Sequence, residues 1–109
     1  MKYTNFSLVR GDTLAFGFEV EGVADLENAF FSCKKNKDDE NYAFQQSLGN
    51  GIYKVEDGKY GVRIPPSDTQ NIEIGQYYYD LQIQVNLDVY TVLLGRLNIV
   101  EGVTREGLE

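Results

Sequence analysis

Apolar and polar residues alternate along much of this 109-residue chain, and alternation with a period of two predicts β-strands. The clearest case is GQYYYDLQIQV over 75–85, which carries Tyr, Tyr, Leu, Ile and Val on one face and Gln, Tyr, Asp, Gln and Gln on the other. The segment TLAFGFEV over 13–20 alternates in the same way. Turn residues separate such segments at short intervals. The pattern therefore predicts an all-β sandwich or barrel without a long helix.

Two strands in the middle of the chain follow from local signals. AFFSCKK over 29–35 predicts a strand, although its periodicity leaves open whether Phe30 or Phe31 is buried. Asp57-Gly58 lies between IYKVE and KYGVRI, and such a pair between alternating segments predicts a hairpin.

Two irregular features are expected in the second half of the chain. Pro65 and Pro66 donate no backbone hydrogen bonds, so PPSDTQNIEIG is expected to connect two strands, with one helical turn capped by Ser67 or Asp68. In YTVLLGRLNIV the apolar residues change parity along the segment. A one-residue bulge near Gly95 would return both apolar sets to the core.

Length and composition indicate one domain. The hydrophobic fraction is 42% and the charged fraction 25%, which is typical of a folded globular chain. We expect one domain over 1–104, followed by a tail over 105–109 whose final Leu-Glu has the character of a cloning remnant. The N-terminus lacks the apolar run of a signal peptide, and no segment has the length of a membrane span. We therefore expect no membrane association.

Charge and residue types exclude several functions. The formal net charge of −7 repels phosphate backbones, so nucleic acid is not an expected partner. Lysines at 34–37 are followed directly by acidic residues at 38–40, which favours a solvated loop over either a basic patch or a calcium site. The chain has no His and a single Cys, Cys33, so it has no internal disulfide and no triad built on imidazole. We expect no catalytic residues, cofactor or metal.

Two surface features remain as candidates. Arg10-Gly11-Asp12 matches an integrin-binding tripeptide, but a turn between two strands explains it more simply. The polar parity of the 75–85 strand brings together Tyr78, Asp80, Gln82 and Gln84. Because a tyrosine ring offers contact area while its hydroxyl stays hydrated, this face is the candidate partner-contact surface. A merely solvated sheet face is the alternative.

Four segments, taken in order, resemble the immunoglobulin-like N-terminal domain of bacteriophage baseplate upper proteins, a module of phage tail and fibre proteins. They are RGDTLAFGFEV at 10–20, DLENAFFSCKK at 25–35, PSDTQNIEIGQYYYDLQIQ at 66–84 and YTVLLGRLNIVEGVT at 90–104. Together they extend over nearly the whole chain. In that family a helical linker and a receptor-binding or oligomerising region usually follow, so nothing assigned to those parts carries over.

The resemblance implies an immunoglobulin-like β-sandwich of about seven to nine antiparallel strands without a disulfide. In such a fold Tyr79 takes the place of a disulfide cysteine, and Tyr77 is a tyrosine-corner residue whose hydroxyl bonds to nearby backbone. The implied function is a non-catalytic docking or structural module of a phage tail or baseplate. Its partners would be other tail proteins or further copies of itself.

The resemblance also implies a location, a virion assembled in the host bacterial cytoplasm. Two other functions remain open. One is a carbohydrate- or receptor-binding sandwich whose tyrosines stack on sugar rings, and the other is a cell-surface module of the host.

Overall fold

The computed structural model describes residues 1–103, so the expected domain boundary at 104 and the tail over 105–109 lie outside the described residues. Residues 1–103 form nine strands and one helical turn. In chain order these are β1 (Lys2–Tyr3), β2 (Phe6–Val9), β3 (Leu14–Glu19), β4 (Asn28–Lys34), β5 (Phe44–Leu48), β6 (Gly51–Glu56), β7 (Lys59–Ile64), α1 (Pro66–Thr69), β8 (Gly75–Val85) and β9 (Asp88–Val100).

The strands form two layers joined at one place. One layer has the order β9-β8-β4-β5, with β1 and β2 both pairing with β9, and the other has the order β6-β7-β3. The layers meet where Ser47 and Leu48 of β5 pair with Gly51 and Ile52 of β6. This architecture confirms the all-β sandwich. Its pairings are mostly antiparallel, but β1–β9, β2–β9 and β5–β6 are parallel, which alternation along single strands does not reveal.

The alternating segments place their apolar faces inward. In β3, Phe16 and Phe18 are half-buried whereas their neighbours are exposed. In β4, Phe31 and Cys33 are buried, which resolves the choice between Phe30 and Phe31. The predicted hairpin is present, since β6 and β7 pair in antiparallel fashion around Gly58.

An aromatic cluster joins the two layers. The Phe31 ring lies 5.0 Å from Tyr79, 5.9 Å from Phe16 and 6.3 Å from Phe44 between ring centroids. Phe6 of β2 lies 5.3 Å from Phe16. Phe16 belongs to the second layer and the other four to the first, so these rings form the contact across the sandwich. Aromatic pairs of this kind stabilise by about 0.5–1.5 kcal/mol beyond their area burial.

The bulge in β9 was predicted at the wrong residue. The register between β8 and β9 shifts at Val92, because Leu81 pairs with Leu93 whereas Gln82 pairs with Thr91. The shift returns Tyr90 to the inward parity. Leu94 is not a core residue, since it lies opposite Asp80 on the outward side.

Gly95 lies instead where the link between β1 and β2 runs close beside β9. A Cβ added at this position would overlap the carbonyl oxygen of Thr4, in the link between β1 and β2. A glycine is therefore needed at position 95 because the β1–β2 link packs against it. The bulge in β9 does not involve Gly95.

The connection over 65–75 contains the expected helical turn but not the expected cap. Pro65 is the N-cap residue and Pro66 the first helical residue, and neither Ser67 nor Asp68 makes a side-chain cap. Proline has no backbone N–H, so at the first helical position it leaves no donor without a partner. The Asp68 carboxylate instead accepts a hydrogen bond from the Gln46 side chain.

Candidate functional site

The four candidate contact residues lie together on the outward side of β8, and all are half-buried. Strand register adds neighbours on both sides. Tyr78 lies between Lys34 of β4 and Arg96 of β9, and the next row is Ser32, Asp80 and Leu94. We call this side of β4, β8 and β9 the outer face.

A concavity of about 700 Å³ opens on the outer face. Three of the four candidate residues line it, whereas Gln84 lies further along β8 and does not. The other lining residues include Tyr3, Lys34, Lys37, Tyr42, Leu94 and Arg96. We call this the outer concavity.

The outer concavity contains cations that the sequence pattern did not single out. The Lys37 ammonium lies 5.0 Å from the centroid of the Tyr78 ring, and the Lys34 ammonium 5.2 Å from that of Tyr42. These distances fit cation–π attraction. Arg96 completes the group as the β9 neighbour of Tyr78. The lysine run before acidic residues looked neutral in the sequence, and only the register of β4, β8 and β9 brings these cations together.

Asp80 is the carboxylate that lines the concavity. Burial raises the pKa of its carboxyl group, and the nearby Lys34 charge opposes that rise. The carboxylate is therefore incompletely solvated, and a hydrogen-bond donor on a partner would compensate for the water it has lost.

The two inward tyrosines of β8 are tied to the domain itself. The Tyr77 hydroxyl donates to the Glu73 carbonyl oxygen at 2.7 Å, which is the backbone contact of a tyrosine corner. The Tyr79 hydroxyl donates to the Thr4 carbonyl oxygen at 2.5 Å, and burial raises the pKa of Tyr79 to about 12. Tyr77 is thus bonded to the connection just before β8 and Tyr79 to the link between β1 and β2, and neither buried side chain is available to a partner.

Cys33 lies beside Tyr79 in the core. It pairs with Tyr79 across β4 and β8, is fully buried and is a free thiol. Burial raises the pKa of the Cys33 thiol to about 12. Because the thiolate is the reactive form, burial disfavours Cys33 as a nucleophile, and its side chain packs in the core.

The other candidate segments form ordinary loops. Arg10 and Gly11 form the turn between β2 and β3, where the Gly11 N–H donates to the Thr69 hydroxyl at 3.0 Å. In the acidic loop the Asp39 carboxylate accepts from the Asn36 N–H at 3.0 Å. Residues 1–103 contain no group of three or more carboxylate or thiol side chains placed to hold a metal ion. Over the same range, no helix has the length and apolar character to cross a membrane.

Comparison with known proteins identifies the fold. No protein-family model matches the sequence, and no curated protein matches it. Among solved structures, the swine CD8aa homodimer aligns with a TM-score of 0.53 at 14% identity, covering 88% of this chain and 92% of that one.

Two further structures align less well. The ZIG-8–RIG-5 IG1–IG1 heterodimer has a TM-score of 0.44 at 14% identity, covering 90% of this chain and 82% of that one. The extracellular domain of the voltage-gated sodium channel beta4 subunit has a TM-score of 0.45 at 12% identity, covering 93% of each chain.

The fold is therefore an immunoglobulin-like β-sandwich without a disulfide. In antibody domains a tryptophan on strand C packs against a disulfide between strands B and F. By strand order β3, β4 and β8 correspond to B, C and F, and here Phe16, Phe31 and Tyr79 meet at that place. Aromatic packing thus substitutes for the covalent link between the layers.

Proposed function

We propose that this domain is a non-catalytic docking module of a phage tail or baseplate, and that it binds its partner protein through the outer concavity. The observation that carries the proposal is the concavity itself, in which half-buried polar and aromatic side chains lie on a rigid sheet. The assignment to phage rests on the resemblance of four ordered segments to baseplate upper proteins.

The physical case for association lies in the residue types and in their rigidity. Tyrosine and arginine are enriched at the centres of protein interfaces, and Tyr78 and Arg96 are adjacent on the outer face. The opposite side of β8 is held by the hydroxyls of Tyr77 and Tyr79. A surface that is already ordered loses little conformational entropy when it binds, which favours affinity.

The proposed partners are other tail or baseplate proteins, or further copies of this chain, within a virion assembled in the bacterial cytoplasm. Stabilisation by aromatic packing suits a reducing compartment, because the core requires no oxidation. Association between copies also occurs in swine CD8aa, which was solved as a homodimer. That likeness extends to the fold alone, so partner identity needs a direct test.

The test is affinity capture from a lysate of a bacterium producing a tailed phage, with retained proteins identified by mass spectrometry. The baits are the unchanged domain, Tyr78→Ala, and Tyr53→Ala as a matched control. Tyr53 is a half-exposed tyrosine of β6, in the other layer. We expect tail or baseplate proteins on the unchanged and Tyr53→Ala baits but not on Tyr78→Ala. Equal retention by all three baits, or no virion protein at all, would contradict the proposal.

Carbohydrate binding is a second candidate, which the exposed rings of Tyr3 and Tyr42 beside Tyr78 favour. Aromatic faces in a concave site can stack on sugar rings. Glycan-array binding that is lost in Tyr78→Ala and kept in Tyr78→Phe would support this function. It would replace the docking function if the capture experiment retained only envelope polysaccharide.

A further inference from the structure

We infer that the outer concavity recognises an acidic peptide segment of the partner protein. This inference rests on the proposed function and specifies what the partner presents. The charged side chains that line the concavity are Lys34, Lys37 and Arg96 against Asp80, three cations against one carboxylate. The chain as a whole has a net charge of −7, so the concavity opposes the overall sign.

The three cations lie close to Tyr78 in the fold. Lys34 and Arg96 lie on the two strands that flank Tyr78, and the Lys37 ammonium lies 5.0 Å from the ring centroid. Adjacent strands are about 4.8 Å apart, so the backbones of Lys34 and Arg96 lie roughly 10 Å apart across the sheet. A carboxylate bound over Tyr78 is attracted by the positive charges on both sides of it.

Like Lys2 and Lys35, these cations form no salt bridge within residues 1–103, whereas two other lysines do. Lys54 lies 2.6 Å from Asp25 and 2.9 Å from Asp57, and Lys59 lies 3.0 Å from Glu56. Within residues 1–103, no carboxylate lies within 4.0 Å of the charged groups of the three concavity cations. The acidic residues that follow Lys37 in its loop do not line the concavity. None of the three is held in a salt bridge within residues 1–103, although the Lys34 charge acts on Asp80, so all three can attract an external anion.

The surrounding residues favour a peptide over a dense polyanion. Asp80 and the overall negative charge repel closely spaced phosphates, whereas a peptide has separated carboxylates. A peptide also supplies backbone N–H groups. The Asp80 carboxylate and the Gln82 side-chain oxygen can accept hydrogen bonds from them. The rings of Tyr3 and Tyr78 and the side chain of Leu94 provide apolar contact for the side chains between the acidic ones.

The test is an NMR titration of the isotope-labelled 109-residue chain with an acetylated six-residue peptide of alternating glutamate and leucine. The control peptide has glutamine in place of glutamate. We expect amide shifts at Lys34, Tyr78, Asp80 and Arg96 with the acidic peptide, and binding of the control peptide at least about tenfold weaker. Raising the salt from about 50 mM to about 500 mM is expected to weaken acidic-peptide binding several-fold.

Two variants test whether the concavity cations account for binding of the acidic peptide. The double variant Lys34→Gln/Arg96→Gln is expected to bind the acidic peptide about tenfold more weakly. Arg63→Gln removes one exposed positive charge from β7 in the other layer, and we expect it to leave binding unchanged. Equal affinity for the two peptides, shifts confined to another surface, or no binding would overturn the inference. So would inorganic phosphate that binds the same residues as tightly as the peptide. The peptide comparison remains decisive if the double variant does not fold.

The capture experiment separates this inference from the proposed function. If tail proteins are lost with Tyr78→Ala but retained by the double variant, the docking function stands. Recognition of an acidic segment is then overturned. Acidic-peptide binding without capture of any virion protein would support the inference and overturn the phage assignment.

Discussion

The two faces of β8 differ although both carry tyrosine. Tyr77 and Tyr79 point inward, are almost fully buried, and donate their hydroxyl protons to backbone carbonyl oxygens. Tyr78 points outward, is half-buried, and lies beneath the Lys37 ammonium in the outer concavity. Strand parity alone therefore assigns one residue type to two tasks, which are to pack in the core and to offer contact area.

This difference separates stability from binding. A substitution on the inner face removes contacts within the domain, so it should lower the free energy of unfolding. A substitution on the outer face removes contacts that only a partner makes, so it should lower affinity and leave stability nearly unchanged. Four predictions test this separation, in order of decreasing expected effect.

The largest effect is expected for Phe31→Ala. The Phe31 ring is fully buried and contacts the rings of Phe16, Phe44 and Tyr79, so its loss leaves a cavity between the layers. We expect the free energy of unfolding to fall by about 3–5 kcal/mol, measured by urea denaturation. The half-buried outward neighbour Phe30 provides the matched control, Phe30→Ala. Equal losses in the two variants would contradict the separation of the two faces.

The next effect is expected for Gly95→Ala. The added methyl group would overlap the Thr4 carbonyl oxygen and push the β1–β2 segment away from β9. We expect a loss of about 1–3 kcal/mol in denaturation. Gly17→Ala is the control, since a Cβ there lies 3.4 Å from the Tyr60 carbonyl oxygen, an ordinary contact distance. If Gly95→Ala is as stable as Gly17→Ala, the β1–β2 link can move away from β9 at little cost in free energy.

A smaller effect is expected for Tyr77→Phe, which removes the hydroxyl that donates to the Glu73 carbonyl oxygen and keeps the buried ring. We expect a loss of about 0.5–1.5 kcal/mol, typical of one hydrogen bond. Tyr78→Phe makes the same chemical change one residue along the strand and should leave the free energy of unfolding unchanged. If both variants lost equal stability, the tyrosine-corner role of Tyr77 would be wrong.

The smallest effect is expected for Asp80→Asn, and it depends on pH. Burial raises the pKa of Asp80 in the folded state, so the folded state favours the protonated carboxyl. The resulting stabilisation is present below the unfolded-state pKa and is lost as pH rises through the folded-state pKa. Asp80→Asn should therefore melt slightly higher than the unchanged domain at pH 7, and the difference should shrink as pH falls below about 4.

Thermal melts at neutral and acidic pH measure this difference. Asp88→Asn, at the exposed start of β9, controls for the loss of one negative charge from an acidic chain. An equal rise in melting temperature for both variants would attribute the effect to net charge and not to the burial of Asp80.

Alternation along single strands predicted much of the fold. It assigned the inward and outward residues of β3 and β8, and the Asp57-Gly58 turn between β6 and β7. These features depend on neighbours in sequence, because side chains alternate along a strand and turns need residues that adopt unusual backbone angles. The choice between Phe30 and Phe31 needed the packed layers, since each parity of β4 carries one phenylalanine.

The same limit applies to the irregular positions. Alternation showed that the apolar parity changes within β9, but the pairing with β8 decided that the bulge falls at Val92. Position 95 needs a glycine because the β1–β2 link packs closely beside it, and not because of a bulge. A cap at Ser67 or Asp68 was a local expectation, and the long-range contact of Asp68 with Gln46 overrode it.

The sequence by itself determined the all-β class, the acidic charge, the presence of a single cysteine and the outward set of Tyr78, Asp80 and Gln82 on one strand. Only the tertiary structure decided that Lys34, Lys37 and Arg96 line one positively charged concavity on the outer face. The reason is physical. Parity along a strand is set by the local backbone, whereas contacts across strands depend on register, which is fixed by pairing between residues far apart in the chain.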